Sequence, residues 1–293
     1  MIVITGANGF IGKYLIRQCK NQKIEYKAID LLQSNEDNYY TADILSYDIE
    51  KYIPYGCDAI IHLAGLSRDK DCKDNGYNCF NVNVMGTLNL MRVAHNKKVK
   101  QFIFASSEWV YDTFDKNEIK DEESTINIAN HTSEYALSKL VSESNLRQKY
   151  QHEFCNVTIL RFGIVYGLRK ENWSAVEAIY NEVKTKDLVT VGSLKTGRCF
   201  IHVADIVDGI IKSIGLKDFH IINLQGNQLT TLNDIIDTSK SILSKNPSLI
   251  EKNPDNFSIR NISNKKAKEL LGWKPKIELQ KGLLLIDKAL KTG

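Results

Sequence analysis

The sequence predicts an α/β protein built on a doubly wound parallel sheet of the Rossmann type, with a smaller C-terminal α/β domain. Three observations predict it. Short β-branched runs alternate with helical patterns from Ile2 to Arg161. Several of those runs are almost continuously apolar, as strands covered on both faces are. A glycine-rich turn joins the first run directly to the first helical pattern. Such alternation folds into a parallel sheet flanked by helices, and right-handed crossovers wind it in both directions.

The elements follow in order. Ile2-Val3-Ile4-Thr5 reads as the first strand, and the amphipathic stretch Ile11 to Asn21 as the first helix. Further strands are expected at Tyr26 to Asp30, Ala59 to Leu63, Gln101 to Ala105 and Val157 to Arg161, and helices at Asn83 to Asn96 and Ser133 to Tyr150. After Gly167 the pattern loosens. A helix from Ala175 to Lys186 precedes a strand at Leu188 to Val191. Cys199 to Val203 and Ile221 to Leu224 read as strands rejoining the sheet, followed by helices at Leu232 to Leu243 and Lys265 to Leu271. The expected division is residues 1–166 plus about 199–226 in the first domain. Residues 167–198 plus about 227–293 make the second, over the C-terminal edge of the sheet, where open α/β sheets bind ligands.

Composition narrows the class. The chain has 293 residues, 43% hydrophobic and 25% charged, with a net charge of +4. The lysines are scattered, which argues against a nucleic-acid or polybasic membrane surface. No apolar run reaches the roughly 20 residues that span a bilayer, and the apolar start Met1 to Ile4 enters a glycine turn rather than a cleavage site. The six cysteines form no C-x-x-C pair, so reduced thiols in a cytoplasmic protein are expected. The histidines show no metal-ligand spacing.

Gly6, Gly9 and Gly12 sit between the first strand and the first helix. The first glycine permits a tight turn, the second lets backbone approach a pyrophosphate, and the third lets helix and strand pack closely. The helix N-terminus at Phe10, Ile11 and Gly12 then offers N–H groups to phosphate. Asp30 ends the second strand about 20 residues on, where a carboxylate accepts from ribose hydroxyls. No arginine follows it, so NAD is favoured over NADP.

Tyr135-Ala-Leu-Ser-Lys139 places a phenol and an ammonium one helical turn apart. The ammonium, with a cationic nicotinamide, is expected to lower the phenol below its reference near ~10 and let it act as acid–base at a carbinol or carbonyl oxygen. Tyr47 to Lys51 and Tyr180 to Lys184 repeat the spacing. Only Tyr135 stands in a helix after a strand ending Ala105-Ser106-Ser107, so Tyr47 and Tyr180 are read as surface helix residues.

At this point the chain resembles the extended short-chain dehydrogenase/reductases, in the NAD-dependent epimerase/dehydratase branch that acts on nucleotide sugars. The resemblance rests on Thr5 to Gly12, Asp43-Ile44, His62-Leu-Ala-Gly65, Asn83-Val-Met-Gly-Thr87, Ser106-Ser-Glu-Trp-Val-Tyr111, Tyr135-x-x-x-Lys139, Arg161 to Gly167, Arg198 to Asp205 and Leu271-Gly-Trp-Lys-Pro275. It implies that Asp43 and Ile44 flank the adenine and that Leu63, Ala64 and Gly65 line the dinucleotide. It implies that Ser107 holds the substrate oxygen beside Tyr135, and that Lys139 also bonds the nicotinamide ribose. Arg198 would grip the sugar-nucleotide pyrophosphate, a task suited to guanidinium. Asn83 would be structural, and the helices near Asn83 and Ser133 would build a four-helix homodimer interface.

The chain also departs from that pattern. The acidic pair that dehydratases carry after the catalytic hydroxyl is Glu108-Trp109 here, which argues against 4,6-dehydration and leaves Glu108 as a candidate substrate contact. Ile164 stands where hexose 4-epimerases carry an asparagine, and Leu168 replaces a usual proline. Lys252 and Arg260 compete for a second diphosphate contact. The expected activity is NAD-dependent 4-epimerisation of a nucleotide-diphosphate sugar. The alternatives are NAD(P)H-dependent reduction of a nucleotide-linked 4-keto sugar, and a non-catalytic dinucleotide-binding protein. The stretches Ser67 to Phe80 and Arg169 to Ser174 carry no readable code for base or sugar.

Overall fold

The computed structural model describes residues 1–115 and 117–292. Along the chain the elements run β1 (Ile2–Thr5), α1 (Phe10–Gln22), β2 (Tyr26–Asp30), β3 (Tyr39–Thr41), β4 (Ala59–His62), α2 (Asp69–Cys72), α3 (Gly76–Phe80), α4 (Gly86–Asn96), β5 (Gln101–Ser107), β6 (Ile119–Lys120) and α5 (Glu134–Gln151). They continue with β7 (Asn156–Phe162), β8 (Val165–Tyr166), α6 (Ala175–Thr185), β9 (Leu188–Val191), β10 (Gly197–Arg198), β11 (Ile201–His202), α7 (Val203–Ser213) and β12 (Phe219–Leu224). The last are β13 (Thr230–Thr231), α8 (Leu232–Leu243), β14 (Ser248–Glu251), β15 (Ile259–Ile262), α9 (Lys265–Leu271) and α10 (Leu279–Thr292).

The central sheet has seven strands in the order β12-β7-β5-β4-β1-β2-β3. β1 lies parallel to β2 and to β4, so the winding reverses at β1. In open α/β sheets the crevice at that reversal, beyond the strand C-termini, is where ligands bind. The C-terminal ends of β1, β4 and β5 carry Gly6, Leu63 to Gly65 and Ser107 respectively, so parallel pairing brings all three to one edge. Val3, Ile29, Ile60, Phe102, Phe104 and Ile159 are buried in one cluster with Leu90, Met91, Val93 and Leu146 of the flanking helices.

The chain forms two compact units. The first comprises residues 1–113, 125–161 and 209–222, and the second 114–124, 162–208 and 223–293. The second has its own core, in which Val176, Ile179, Tyr180 and Val183 of α6 meet Ile235 and Ile236 of α8 and Leu283 and Ile286 of α10. It also has a four-stranded sheet, β13-β10-β15-β6. The Leu271-Gly-Trp-Lys-Pro275 motif is tied down here: the Trp273 indole donates to the Asp205 carbonyl at 3.0 Å, and Lys276 N and Ile277 N donate to the Asp205 carboxylate at 3.0 and 2.9 Å.

Four expectations are corrected. Within Cys199 to Val203 only Ile201–His202 is a strand, and it pairs with β8 rather than with the central sheet. Val203 instead opens α7, where Val203, Ile206, Val207 and Ile210 form a buried i, i+3, i+4, i+7 stripe. The helix expected from Asn83 begins as a π-helical stretch, Asn81–Met85, that leads into α4. Tyr180 is not a surface residue: it is 1% exposed, whereas Tyr47 is 76% exposed. Finally, Cys72 and Cys79 form a disulfide, their Cα atoms 5.0 Å apart, because α2 and α3 fold back on each other. Cys19, Cys57, Cys155 and Cys199 are free thiols.

Candidate active site

The glycine turn has the geometry its sequence demands. Gly6 has φ +73°, and a Cβ there would lie 2.5 Å from Ala64 N. A Cβ on Gly12 would lie 2.3 Å from the Gly6 carbonyl oxygen. Neither position admits a side chain, so backbone alone faces the start of α1, as a pyrophosphate cradle requires. Asp30 braces this turn: its Oδ2 accepts from Asn8 N at 2.9 Å and its Oδ1 from Leu32 N at 3.0 Å. Phe10 and Ile11 open α1 at partly exposed positions. Ile44 is buried against Gly86, and the Asp43 Oδ1 accepts from Leu45 N at 2.9 Å. These residues fit a dinucleotide.

The turn is physically linked to the helix that carries Tyr135 and Lys139. Leu63 N donates to the Thr5 carbonyl at 3.0 Å, which holds the Leu63-Ala64-Gly65 segment beside Gly6. Asn83 receives Leu66 N on its Oδ1 at 2.8 Å and donates from Nδ2 to the Leu66 carbonyl and to Ser138 Oγ. It thereby fastens this loop to α5. The space beside Gly65 is bounded by Asn83 and by Lys139 Nζ, which would lie 3.8 Å from an added Cβ. His62 is buried between Thr5 Oγ1 and Thr87 Oγ1 at 2.8 and 3.0 Å. Burial pushes its pKa down to about 3, so it is a neutral structural ring.

Ser107, Tyr135 and Lys139 converge at the end of β5. Ser133 caps α5 by accepting from Ala136 N at 3.1 Å, which sets Tyr135 in the first turn. Tyr135 is hydrogen-bonded to Ser107. Lys139 Nζ donates to the Ala105 carbonyl at 2.9 Å and stands 4.9 Å from the Phe104 ring centroid and 5.9 Å from that of Tyr135. Glu108 is 1% exposed, directly after Ser107.

Protein groups alone raise the Tyr135 phenol rather than lower it. Burial pushes Tyr135 up to about 12, against a lowering by the Ser107 hydrogen bond, and the nearby Glu108 carboxylate adds to the rise. The protein by itself therefore does not lower the phenol. Burial likewise pulls Lys139 down to about 8, with the Glu143 carboxylate acting in the opposite sense. Further positive charge is needed for phenolate, and a bound NAD ring would carry it.

The second unit holds the expected arginines. Arg198 and Arg260 are register partners on the parallel strands β10 and β15. Arg198 Nη1 donates to the Gly197 and Ser258 carbonyls and its Nη2 to Ser258 Oγ, all at 2.7 Å. The Arg260 guanidinium lies 5.2 Å from the Phe114 ring centroid. Lys252 is exposed beyond β14, which pairs with β9 in a different sheet.

Sequence reasoning gave no role to Glu143 and Arg161, which pair beneath Ser106. Two signals were present. An arginine inside an apolar strand needs a buried partner, and Glu143 repeats the one-turn spacing beyond Lys139.

Comparison with known proteins agrees with this construction. The model of the NAD dependent epimerase/dehydratase family matches residues 2–224, and the chain belongs to that family. It is 25% identical to a putative UDP-glucose 4-epimerase of Methanocaldococcus jannaschii, with 100% of this chain and 99% of that protein covered. It is 26% identical to UDP-glucuronic acid decarboxylase 3 of Arabidopsis thaliana, covering 98% and 87% of the two chains. The fold matches that of MoeE5 in complex with UDP-glucuronic acid and NAD, with a TM-score of 0.87 and 21% identity over 100% and 99% of the chains.

Proposed function

We propose that this family member is a 4-epimerase of a UDP-linked hexose or hexuronate, working by transient oxidation at C4. The observation that carries the reading is the meeting of Ser107, Tyr135 and Lys139 beside the Gly6 turn on one sheet edge. NAD, when bound, supplies the acceptor and later the donor of the C4 hydride. It would be held by Gly6, Gly9, Phe10, Ile11 and Gly12 at the diphosphate and by Asp30 at the adenosine ribose. Asp43 and Ile44 would sit at the adenine, with Leu63, Ala64, Gly65, Tyr135 and Lys139 toward the nicotinamide.

Tyr135 takes the proton from the sugar 4-hydroxyl and returns it to the same oxygen after the 4-keto sugar has presented its other face. Ser107 orients that oxygen through its hydroxyl. Lys139 supplies positive charge that favours the phenolate over the neutral phenol. Arg198 and Arg260, side by side in register, offer two guanidinium groups to the substrate diphosphate, and this favours Arg260 over Lys252. Glu108 contributes a polar contact to the sugar. The second unit would thus be the sugar-nucleotide unit and the first the dinucleotide unit.

The intact Ser107, Tyr135 and Lys139 set argues against a non-catalytic role. We further propose that the active form is a homodimer joined through α4, the π-helical stretch before it and α5, where Met85 and Val141 are exposed large hydrophobics, acting in cytoplasmic carbohydrate biosynthesis. No helix among the described residues is long and apolar enough to cross a membrane.

Incubation with UDP-glucose and with UDP-glucuronate, followed by NMR of the sugar C4 configuration, tests the reaction. The C4 epimer of one of them is expected without added nucleotide. Arg198→Ala should raise KM by about one to two orders of magnitude, as loss of a charge-paired contact does. A decarboxylated pentose product, or an unchanged KM, would contradict the respective assignment.

A further inference from the structure

Directly behind the catalytic set lies a buried ion pair that the reaction as written does not use. Glu143 on α5 and Arg161 on β7 have side chains only 5% and 4% exposed. Arg161 Nε donates to Glu143 Oε1 at 3.1 Å and Arg161 Nη2 to Oε2 at 2.7 Å. Ser106 Oγ donates to the same Oε1 at 2.5 Å. One carboxylate therefore joins β5, α5 and β7. It does so next to Ser107 in sequence on β5, and one helical turn beyond Lys139 on α5. The Arg161 guanidinium also stacks 4.9 Å from the Tyr111 ring centroid, at the far side of the turn that follows Ser107.

Stability alone does not account for such a pair. The desolvation of two buried charges offsets much of their attraction, and well-packed apolar residues often serve as well. Apolar residues cannot accept the Ser106 hydroxyl, nor place negative charge one turn from a buried ammonium. We propose that Glu143 is a positioning residue: its carboxylate, shared by Ser106 and Arg161, sets Ser107 against Tyr135 and places negative charge one helical turn from the Lys139 amino group. This rests on the Ser107–Tyr135–Lys139 reading above.

The surroundings of Lys139 support that division of labour. From α5 it faces Tyr135 and Glu143, from β5 the Phe104 ring and the Ala105 carbonyl, and from β4 the His62 ring, which is neutral. Arg161 stands behind Glu143 on β7, and Glu108 acts on Tyr135. Burial drives Lys139 toward the neutral amine, and Glu143 is the group that opposes it. Activity that needs the ammonium is present below the Lys139 pKa and is lost as pH rises through it. Removing the Glu143 charge therefore moves the alkaline limb to lower pH.

Glu143→Gln alone leaves Arg161 a buried, uncompensated cation, and that protein can fail to fold. The decisive variant is the double change Glu143→Gln with Arg161→Gln, which removes both charges. Glu143→Asp keeps the charge but withdraws the carboxylate from Ser106. Two readouts are taken on full-length protein: the pH profile of kcat with the UDP-sugar that turns over, and a 13C NMR titration of the Lys139 Cε in lysine-labelled protein. The signal is assigned by its absence in Lys139→Met, and the titration needs no substrate.

In the double variant Lys139 is expected to titrate at lower pH than in the wild type, and the alkaline limb to shift with it. The kcat at its optimum should fall about tenfold to a hundredfold, the scale of a misplaced catalytic group. Glu143→Asp should keep the wild-type limb with a reduced kcat. A double variant whose Lys139 titration and limb coincide with the wild type overturns the inference. Tyr135→Phe run in parallel separates the two readings. If it abolishes turnover while the double variant behaves as wild type, only the role of Glu143 falls. If it turns over normally, the proposed reaction falls, and this inference with it.

Discussion

The glycine turn and the Ser107–Tyr135–Lys139 cluster share one edge of one sheet, yet they are built from opposite materials. The turn is made of what is missing: no Cβ at Gly6 or Gly12, so that backbone lies where side chains cannot. The cluster and the ion pair behind it are made of what is buried: Tyr135, Lys139, Glu108, Glu143 and Arg161 are ionisable groups withdrawn from water. A backbone site depends on shape and is insensitive to pH. A site of buried charges depends on protonation, and each group there is set by its neighbours. Substitution in the first region should therefore act on nucleotide binding, and in the second on turnover and its pH dependence.

The largest expected effect breaks the second region and spares the first. Tyr135→Phe should lower kcat by about two to four orders of magnitude, the usual worth of a positioned acid–base. NAD affinity measured by calorimetry should stay nearly intact; equal losses in both would erase the distinction. Gly12→Val tests the reverse. Its Cβ would meet the Gly6 and Ala7 carbonyl oxygens at 2.3 and 2.7 Å. Those are backbone atoms that cannot swing aside. NAD binding should be lost, with destabilisation on the order of 1–3 kcal/mol from overpacking. A variant that still binds NAD as the wild type does would show that the close packing is dispensable.

A smaller effect sharpens the comparison at His62, which lies between the two regions. Its folded pKa is pushed down to about 3 by burial, from an ordinary 6.5. The unfolded chain binds the proton more readily, so this contribution is complete above the ordinary value. It is lost progressively as pH falls from about 6.5 toward 3. Urea unfolding across that window should show stability falling with pH, and His62→Gln should flatten the slope. An unchanged slope would mean that other groups carry the acid sensitivity.

How much of this was readable in the chain follows the same contrast. β1, α1, β2 and β4 were legible because strand burial and helix amphipathicity leave clear periods, and the glycine turn because its requirement is steric and local. The start of α7 departs from the expected strand because Cys199 to Val203 is a short, mostly apolar run, which period alone does not assign to strand or helix. The continuing stripe Val203, Ile206, Val207 and Ile210 would have settled it. Tyr180 was misplaced although Val176, Tyr180 and Val183 share one apolar face. Within the site, Ser107, Tyr135 and Lys139 were legible from spacing and strand context. The rise that burial imposes on Tyr135 in the protein alone was not, because it depends on how deeply the group is buried, a property of the folded surroundings. The Cys72–Cys79 bridge is not legible because its seven-residue spacing matches no short motif, and only the α2–α3 turn brings the pair together.

The central claim is that the cofactor held by the turn stays in place and is regenerated in each cycle. Denaturing the purified protein and quantifying the released dinucleotide tests this most directly. The account predicts close to one NAD per chain. An empty protein that binds NADPH and consumes it stoichiometrically with a 4-keto sugar would contradict it.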